Sequence, residues 1–434
     1  MKETLGTTDS PGGYREVEFG PKTLVVPNDW SVRQFGEVFH RRSESISDEE
    51  GEPVKYIGLK HINSGELDIA GYDEDGRGRS SSRVFRESDV LFGKLRPNLN
   101  KAAVAPFDGI CSSDIIPIYA EDSTLNNYLP YLMHSKIIRD RVVSTMEGTN
   151  LPRTSWDDLE STPVPIPPEG ERRRIADVLS TVENDIQEAD EAIEQAKKLK
   201  YGLMQDLLIK GINHDTYEQK YLGPLELEVP AEWRKARLSE VSEIITRGKQ
   251  PTYVEEGGVP VLNQSCIYWD GFHLGALKRL DSEVASGWKD KYWVKNGDVL
   301  INSTGKGTLG RALEWTKESD THALDSHITR VHPDESVLDP TYLRFYLESN
   351  HGQKMLYAFC VAGSTGQIEL SKTDLQTMPI LLPPIDEQRE ISEAFYRANK
   401  LTNVAQDEKS ELQELKQGIM QDLLTGTRRL EVET

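Results

Sequence analysis

Cysteine is nearly absent from this chain of 434 residues. Cys111, Cys266 and Cys360 lie far apart, are odd in number and lack metal-ligand spacing, which argues against a disulfide framework and against zinc. Long apolar runs are missing too: no stretch approaches the roughly eighteen apolar residues that would cross a bilayer, so no membrane partner is expected. Met1 to Gly13 is polar and rich in Gly and Thr, without the charged-then-apolar pattern of a secretory signal. It reads as a disordered leader, and the protein as cytoplasmic.

The chain also lacks a positive balance, with 51 Lys and Arg against 72 Asp and Glu and a formal charge of −21. Such a surplus ordinarily disfavours nucleic acid, because phosphate binding draws on counterion release by cations. Basic clusters nevertheless recur: Arg77, Arg79 and Arg83, then Lys94, Arg96 and Lys101, then Lys306 and Arg311. A locally basic face on an acidic body remains open to DNA.

What the sequence does have is an internal duplication. Tyr14, Gly20, Pro21, Val26, Pro27 and Trp30 recur 203 positions later as Tyr217, Gly223, Pro224, Val229, Pro230 and Trp233. Asp89-Val90-Leu91 returns as Asp298-Val299-Leu300, and Tyr128-Leu129 as Tyr342-Leu343. From Pro167-Pro168 and Pro383-Pro384 through Met204 to Leu208 and Met420 to Leu424 the offset holds at 216. The ends of each copy match and the middles diverge.

Each copy has two parts, giving an α+β fold. The first part is mainly β, with short β-favouring runs such as Asp89 to Phe92, Ile115 to Tyr119, Val259 to Leu262 and Asp298 to Ile301 between turn residues. Helical spacing predicts one helix over Asn126 to Val143 and another over Pro340 to Tyr357. The second part is a long helix. After Pro168 the apolar positions Ile175, Leu179, Val182, Ile186, Ala189, Ile193, Ala196, Leu203 and Leu207 alternate by four and three, interrupted where Lys200 takes a slot. That is a coiled-coil seam. The second copy keeps the register with polar substitutions at Thr402, Lys409 and Lys416, and Leu401, Val404 and Leu415 are expected to widen its seam. A helix of about 40 residues is about 60 Å long. Such helices pack on each other or, alternatively, each on its own β domain.

The expected division is a leader over 1–13, a β domain over 14–166, a helix over 167–212, a second β domain over 213–382, a second helix over 383–426 and a tail over 427–434. Enzyme motifs are sparse. Gly305 to Gly310 fits GxGxxG after a strand but lacks a following helix and a βαβ unit, and the other copy carries Phe92 to Pro97 in its place. His322, His327 and His332 are spaced by five, which on a strand alternates faces and spoils a shared metal. No HExxH, GxSxG or Asn-Pro-Pro-aromatic motif is found. The chain reads as non-catalytic, with no cofactor or metal of its own.

The loop after the shared Asp-Val-Leu strand is the informative divergence. It runs Phe92 to Lys101 in the first copy, offering Lys94, Arg96, Asn98 and Lys101, and Ile301 to Arg311 in the second, offering Thr304, Lys306, Thr308 and Arg311. These types hold phosphates and hydrogen-bond base edges; the bland reading is a pair of exposed turns. Ser113 and Ser326 occupy matching positions, and Thr149, Asn150, Thr365 and Gln367 lie in loops before the Pro-Pro pairs. They are candidate DNA contacts or plain turn and connector residues. A non-DNA scaffold with two β modules on a coiled-coil stalk is the main alternative, and a methyltransferase using Gly305 to Gly310 a lesser one.

Two divergent domains, each opening on Val-Pro-x-x-Trp, holding a GKLRPNL or STGKGTLG loop and closing on Pro-Pro-x-x-Glu-Gln/Arg-x-x-Ile at the head of a long helix, resemble the DNA specificity (S) subunit of type I restriction-modification systems. The second closing segment, Pro383 to Ile391, fits the family pattern, and the first departs in having Arg172 where Gln is usual. The resemblance implies two target-recognition domains, each reading one half of a bipartite site in double-stranded DNA. It further implies helices paired as an antiparallel coiled coil, with pseudo-twofold symmetry, that act as a spacer of at most roughly 18 base pairs. Implied partners are two methylation (M) subunits, bringing S-adenosylmethionine and flipping an adenine, and two restriction/translocase (R) subunits using ATP and Mg.

Overall fold

In the computed structural model the described residues are 13–19, 22–46, 54–76, 82–148, 150–317, 321–362 and 368–430. The chain forms two compact units, one of residues 1–189 and 407–434 and the other of residues 190–406. The division falls inside the long helices, Glu169–Lys210 and Ile385–Thr425, so each unit holds half of each.

Unit one begins with the hairpin Tyr14–Phe19 with Lys22–Pro27, after which Ser31–Gln34 pairs antiparallel with Pro163–Ile166 just ahead of the first long helix. Its central sheet orders His40–Arg41, Ile115–Tyr119, Val90–Gly93 and Ala102–Val104. A second four-stranded sheet contains one parallel pair, Gly109–Cys111 with Tyr56–Ile57. Unit two repeats the plan. Tyr217–Leu222 pairs with Leu225–Pro230 in the same register, and Arg234–Arg237 with Pro379–Leu382. Its central sheet is Ser242–Arg247, Ile328–Pro333, Asp298–Asn302 and Ala312–Trp315, and its second sheet also has one parallel pair, Val259–Leu262 with Ala323–Leu324.

The helices predicted within the β parts are each split. Ser123–His134 and Lys136–Ser144 replace a continuous 126–143, and Pro340–Glu348 and Asn350–Met355 replace most of 340–357. Apolar spacing runs across both breaks and hides them. The cause is one serine in each copy, Ser135 and Ser349, whose extended backbone ends one helix while its hydroxyl accepts from Ile138 N or Gly352 N to cap the next.

The long helices pair antiparallel within each unit. In unit one Ile175, Ala176 and Leu179 share a core with Met420, Leu423 and Leu424, while farther along the first helix Glu183 meets Lys416. In unit two Lys200 Nζ donates to Asn399 Oδ1 at 3.1 Å and to Glu348 Oε1 at 2.6 Å, and Met204 and Leu208 share a core with Ile391 and Phe395. The second seam is not widened as expected: Leu401, Val404 and Leu415 are 56%, 53% and 51% exposed, while Ala398 and Ala405, at the positions the repeat register assigns to the seam, are buried. Small side chains there let the helices approach without the larger neighbours turning inward.

Each helix head carries the same clamp. Trp30 Nε1 donates to Glu171 Oε2 at 2.9 Å, and Trp233 Nε1 to Glu387 Oε2 at 2.9 Å. The next residue satisfies the Pro-Pro carbonyl in both copies despite the change in type: Arg172 Nη1 donates to Pro167 O, and Gln388 Nε2 to Pro383 O. Arg172 is a working substitute for Gln at this position. Each carboxylate also receives the segment that follows the opposite helix. Arg429 holds Glu171 at 2.6 and 2.7 Å, and His214 Nε2 and Ile212 N hold Glu387 Oε1 at 2.7 and 3.0 Å.

Replacing Glu387 by Ala strands three hydrogen-bonding groups in a nearly closed site, and the expected loss is about 2–4 kcal/mol. Thermal unfolding of Glu387→Ala beside Lys210→Ala, an exposed control, measures it. In unit one burial holds His134 down at about 4, only partly opposed by its bond to the Ala102 carbonyl and reinforced by Lys416. Because this folded-state value lies below the unfolded value of about 6.5, the neutral ring contributes stability that is present above pH 6.5 and lost as pH falls towards 4. Denaturant titrations across that window should show a shallower pH dependence for His134→Asn than for the unmodified chain.

Candidate nucleic-acid interface

The Asp-Val-Leu strands are central in both units, and the shared aspartate anchors each. Asp89 takes Arg42 Nε and Nη2 at 2.5 and 2.9 Å, whereas Asp298 lies 2.6 Å from Arg330 Nε, with His332 Nδ1 at 2.9 Å. The anchoring arginines come from different places, Arg42 just after the strand His40–Arg41 and Arg330 within Ile328–Pro333, so the repeat is visible at the aspartate and not at its partner.

The loop beyond the strand is built differently in each unit. In unit one backbone bonds set its shape: Lys94 N donates to Asp114 O, Thr154 N to Lys94 O, and Arg96 N to Pro152 O at 2.7 Å. Arg96 and Asn100 both adopt left-handed backbone, at φ 51° and 49°, which turns the chain sharply around the short helix Pro97–Leu99. Arg96, Asn98, Ser113 and Asn150 are exposed, and Lys94 is half-buried. Burial first, then Arg83 and Arg153 close by, lower the Lys94 pKa, opposed by Asp114. Arg153 binds Asp114 at 2.9 and 3.3 Å. Three cations gathered around one carboxylate leave an excess of positive charge that a phosphate would relieve. Lys101 points elsewhere, donating to Leu59 O at 2.8 Å. Thr149 lies outside the described residues, as do Arg77 and Arg79.

In unit two the loop joins the antiparallel strands Asp298–Asn302 and Ala312–Trp315. Gly305 to Gly310 therefore closes a hairpin and does not open a helix. Gly305, with φ 100°, packs so closely that a Cβ would meet Thr308 Oγ1 at 2.2 Å. Lys306 is exposed, while Thr308 Oγ1 donates to Thr304 O at 2.9 Å. Arg311 Nη2 donates to Gly307 O at 2.8 Å, and its guanidinium lies over Tyr268, which stacks on His273 with centroids 4.2 Å apart. Ser326 Oγ donates to Gln250 Oε1, and Thr304 Oγ1 bonds both Gln264 and His327. Thr365 and Gln367 lie outside the described residues.

The structure thus brings Thr304, Thr308 and Arg311 into one loop face and adds Gln264, Tyr268 and His327, which the sequence reading did not select. Gln264 and Tyr268 come from a turn some forty positions upstream, with no local pattern to mark them. His327 closes the Asp325-Ser326-His327 triplet, for which the sequence alone leaves base contact and turn capping both open, and its spacing makes it a poor metal ligand. Among the described residues no cluster of His, Cys, Asp or Glu is arranged to hold a metal ion, and no helix is long and apolar enough to cross a membrane.

Comparison with known proteins identifies the family. The family described as type I restriction modification DNA specificity domain matches residues 27–196 and 230–414. The chain belongs to this family. It is 25% identical over 434 residues to the type I restriction enzyme MjaVIII specificity subunit of Methanocaldococcus jannaschii, covering 96% of this chain and 97% of that one. A second relative, the EcoDI specificity subunit of Escherichia coli, is 31% identical over 153 residues, 35% of this chain and 34% of its own. Two solved structures share the fold. A chain from a structure addressing complex assembly and conformational transition of the type I R-M system matches with a TM-score of 0.58 at 23% identity, covering 93% of this chain and 99% of that one. The type I restriction-modification S subunit from M. genitalium matches with a TM-score of 0.54 at 13% identity, covering 91% and 96%.

This S subunit is the DNA-sequence-recognition component of a type I restriction-modification system. Two recognition domains of one family, built on matching scaffolds with unlike loops, account for the duplication. Reversing charge at the first loop, Lys94→Glu with Arg96→Glu, is expected to abolish specific binding by the methyltransferase assembled on this subunit. Electrophoretic mobility shifts on its cognate duplex measure this, and undiminished binding would remove both residues from the interface.

Proposed function

We propose that the two recognition domains read the two halves of one bipartite DNA sequence, that the paired helices set the distance between the halves, and that the subunit itself performs no chemistry. The observation that carries this reading is the loop after the Asp-Val-Leu strand. It occupies the same place in both units yet presents Lys94, Arg96 and Asn98 in one and Thr304, Lys306, Thr308 and Arg311 in the other. Identical readers would carry identical loops; a split site with unlike halves needs unlike ones. Ser113, Asn150 and Ser326 are further candidate contacts, and Thr149, Thr365 and Gln367 are candidates by sequence alone; Lys101, which donates to Leu59 O, is left out of the set.

The partners in this reading are double-stranded DNA, two M subunits and two R subunits, all in the cytoplasm. S-adenosylmethionine would be held by the M subunits, and ATP and Mg by the R subunits. Cations gathered on the loop faces let an acidic protein approach DNA, because potential at short range is set by the nearest charges and the distant acidic surplus is screened within about 10 Å. The seam substitutions that bury Lys200 and Lys416 fix how the helices slide along each other, and so the length of the spacer.

Genome-wide mapping of methylated bases in the source organism, with the gene intact and deleted, tests the reading. A split motif that disappears on deletion is expected. Methylation unchanged by deletion, or loss of an uninterrupted motif, would overturn it.

A further inference from the structure

The hydrogen bonds at Thr304 form a chain whose ends have a fixed chemical character. The Thr304 hydroxyl lies 2.8 Å from Gln264 Oε1 and 2.7 Å from His327 Nδ1. A hydroxyl has one proton, so the chain runs in one of two directions. In the first, Thr304 donates to the Gln264 carbonyl oxygen and accepts from His327 Nδ1–H, which leaves the amide NH2 as a donor and His327 Nε2 of the neutral imidazole as an acceptor. In the second, Thr304 donates to the imidazole and accepts from the amide, which leaves Nε2–H as a donor and the amide oxygen as an acceptor. With the ring uncharged, the two outer ends are one donor and one acceptor in either direction.

The surroundings hold this chain in place. Asn302, fully buried, donates from Nδ2 to Gln264 O at 3.0 Å and to Ile267 O at 3.4 Å, fixing the backbone of the turn that carries Gln264. A Cβ at Gly305 would come within 3.2 Å of Gln264 Oε1, so glycine there leaves the amide its room. His327 is pinned through its backbone, its N–H donating to Asp325 Oδ1 at 2.7 Å and its carbonyl accepting from Ser303 N at 2.8 Å. Lys306 stands exposed on the same loop, which Arg311 closes by donating to Gly307 O.

We infer that Gln264 and His327, coupled through Thr304, read an adenine in the half-site of the second recognition domain. This rests on the assignment of that domain as a DNA reader. In the major groove guanine shows two acceptors and no donor, cytosine only a donor, and thymine an acceptor and a methyl group. Adenine alone places an acceptor, N7, beside a donor, N6–H2, on one edge. A donor and an acceptor joined to one hydroxyl are its complement. Gln264 and His327 determine specificity, and Thr304 is a positioning residue.

Selection of duplexes from a randomised library, using the full chain assembled with its methylation subunits, tests this. The unmodified assembly should select a split motif with an adenine in the second half-site. Gln264→Ala and His327→Ala should each lower the preference for that adenine over guanine by roughly tenfold, leaving every other position selected. Thr304→Val should relax the same position and Thr304→Ser restore it, an outcome that general damage to the loop would not give. Relaxation at a base other than adenine, or an unchanged adenine in both alanine variants, would overturn the inference while leaving the recognition reading intact. An unmodified assembly that selects no motif would overturn both.

Discussion

The carboxylate at the head of each long helix is the constraint on which the other parts of a unit depend. Glu171 and Glu387 sit in the first turn, where the exposed backbone N–H groups of a helix favour negative charge. Each spends its oxygens on an indole N–H from the opening segment and on groups that follow the opposite helix. One side chain thereby joins three stretches far apart in sequence. The strand after the tryptophan is then held against the strand before the Pro-Pro pair, Ser31–Gln34 on Pro163–Ile166 and Arg234–Arg237 on Pro379–Leu382. The central sheet of each unit is carried between those two strands, so its orientation on the helix follows from the clamp.

Along the helices a second polar device sets register. Apolar seams tolerate sliding, since one leucine packs nearly as well as the next, whereas a buried ammonium demands its partner. Lys200 and Lys416 occupy equivalent slots, 216 positions apart, but find their oxygens differently. In unit one Glu183 of the partner helix serves, and in unit two Asn399 of the partner helix shares the task with Glu348 of the recognition domain. The carboxylate has moved from helix to domain while the lysine stayed. Unit two thus links its spacer to the ground beneath its reading head, near the break at Ser349.

The features legible in the sequence were those encoded by spacing or by repetition. The Asp-Val-Leu strands and the long helices carry periodic or duplicated residues, and the structure places them at Val90–Gly93, Asp298–Asn302, Glu169–Lys210 and Ile385–Thr425. The helix breaks at Ser135 and Ser349 escaped because a serine cap interrupts the backbone without interrupting the apolar pattern. Leu401, Val404 and Leu415 misled for the opposite reason: their spacing suits a seam, but the approach of the partner helix is set by Ala398 and Ala405. At the interface, Lys94 and Lys306 could be picked by charge alone. Gln264 and His327 could not, because neither is unusual by type and only the sheet brings each to Thr304.

The two loops also differ in what makes their shape, and this bears on how a recognition surface can change while its scaffold persists. Unit one holds its loop by main-chain bonds to Asp114, Pro152 and Thr154, so the exposed side chains of Arg96 and Asn98 take no part in the frame. Unit two adds side chains to its main-chain bonds: Gly310 N donates to Asn302 O and Leu309 N to Gly305 O, while buried Asn302 braces the Gln264 turn, Gly305 makes space for it, and Arg311 closes the loop onto Gly307. A substitution at Arg96 therefore alters what is presented and little else, whereas one at Asn302 alters where the presenting groups stand. Loss of a buried, bonded side chain costs stability as well as position. On the proposed reading of these loops, the first would accept new specificities one residue at a time and the second would hold one specificity in place.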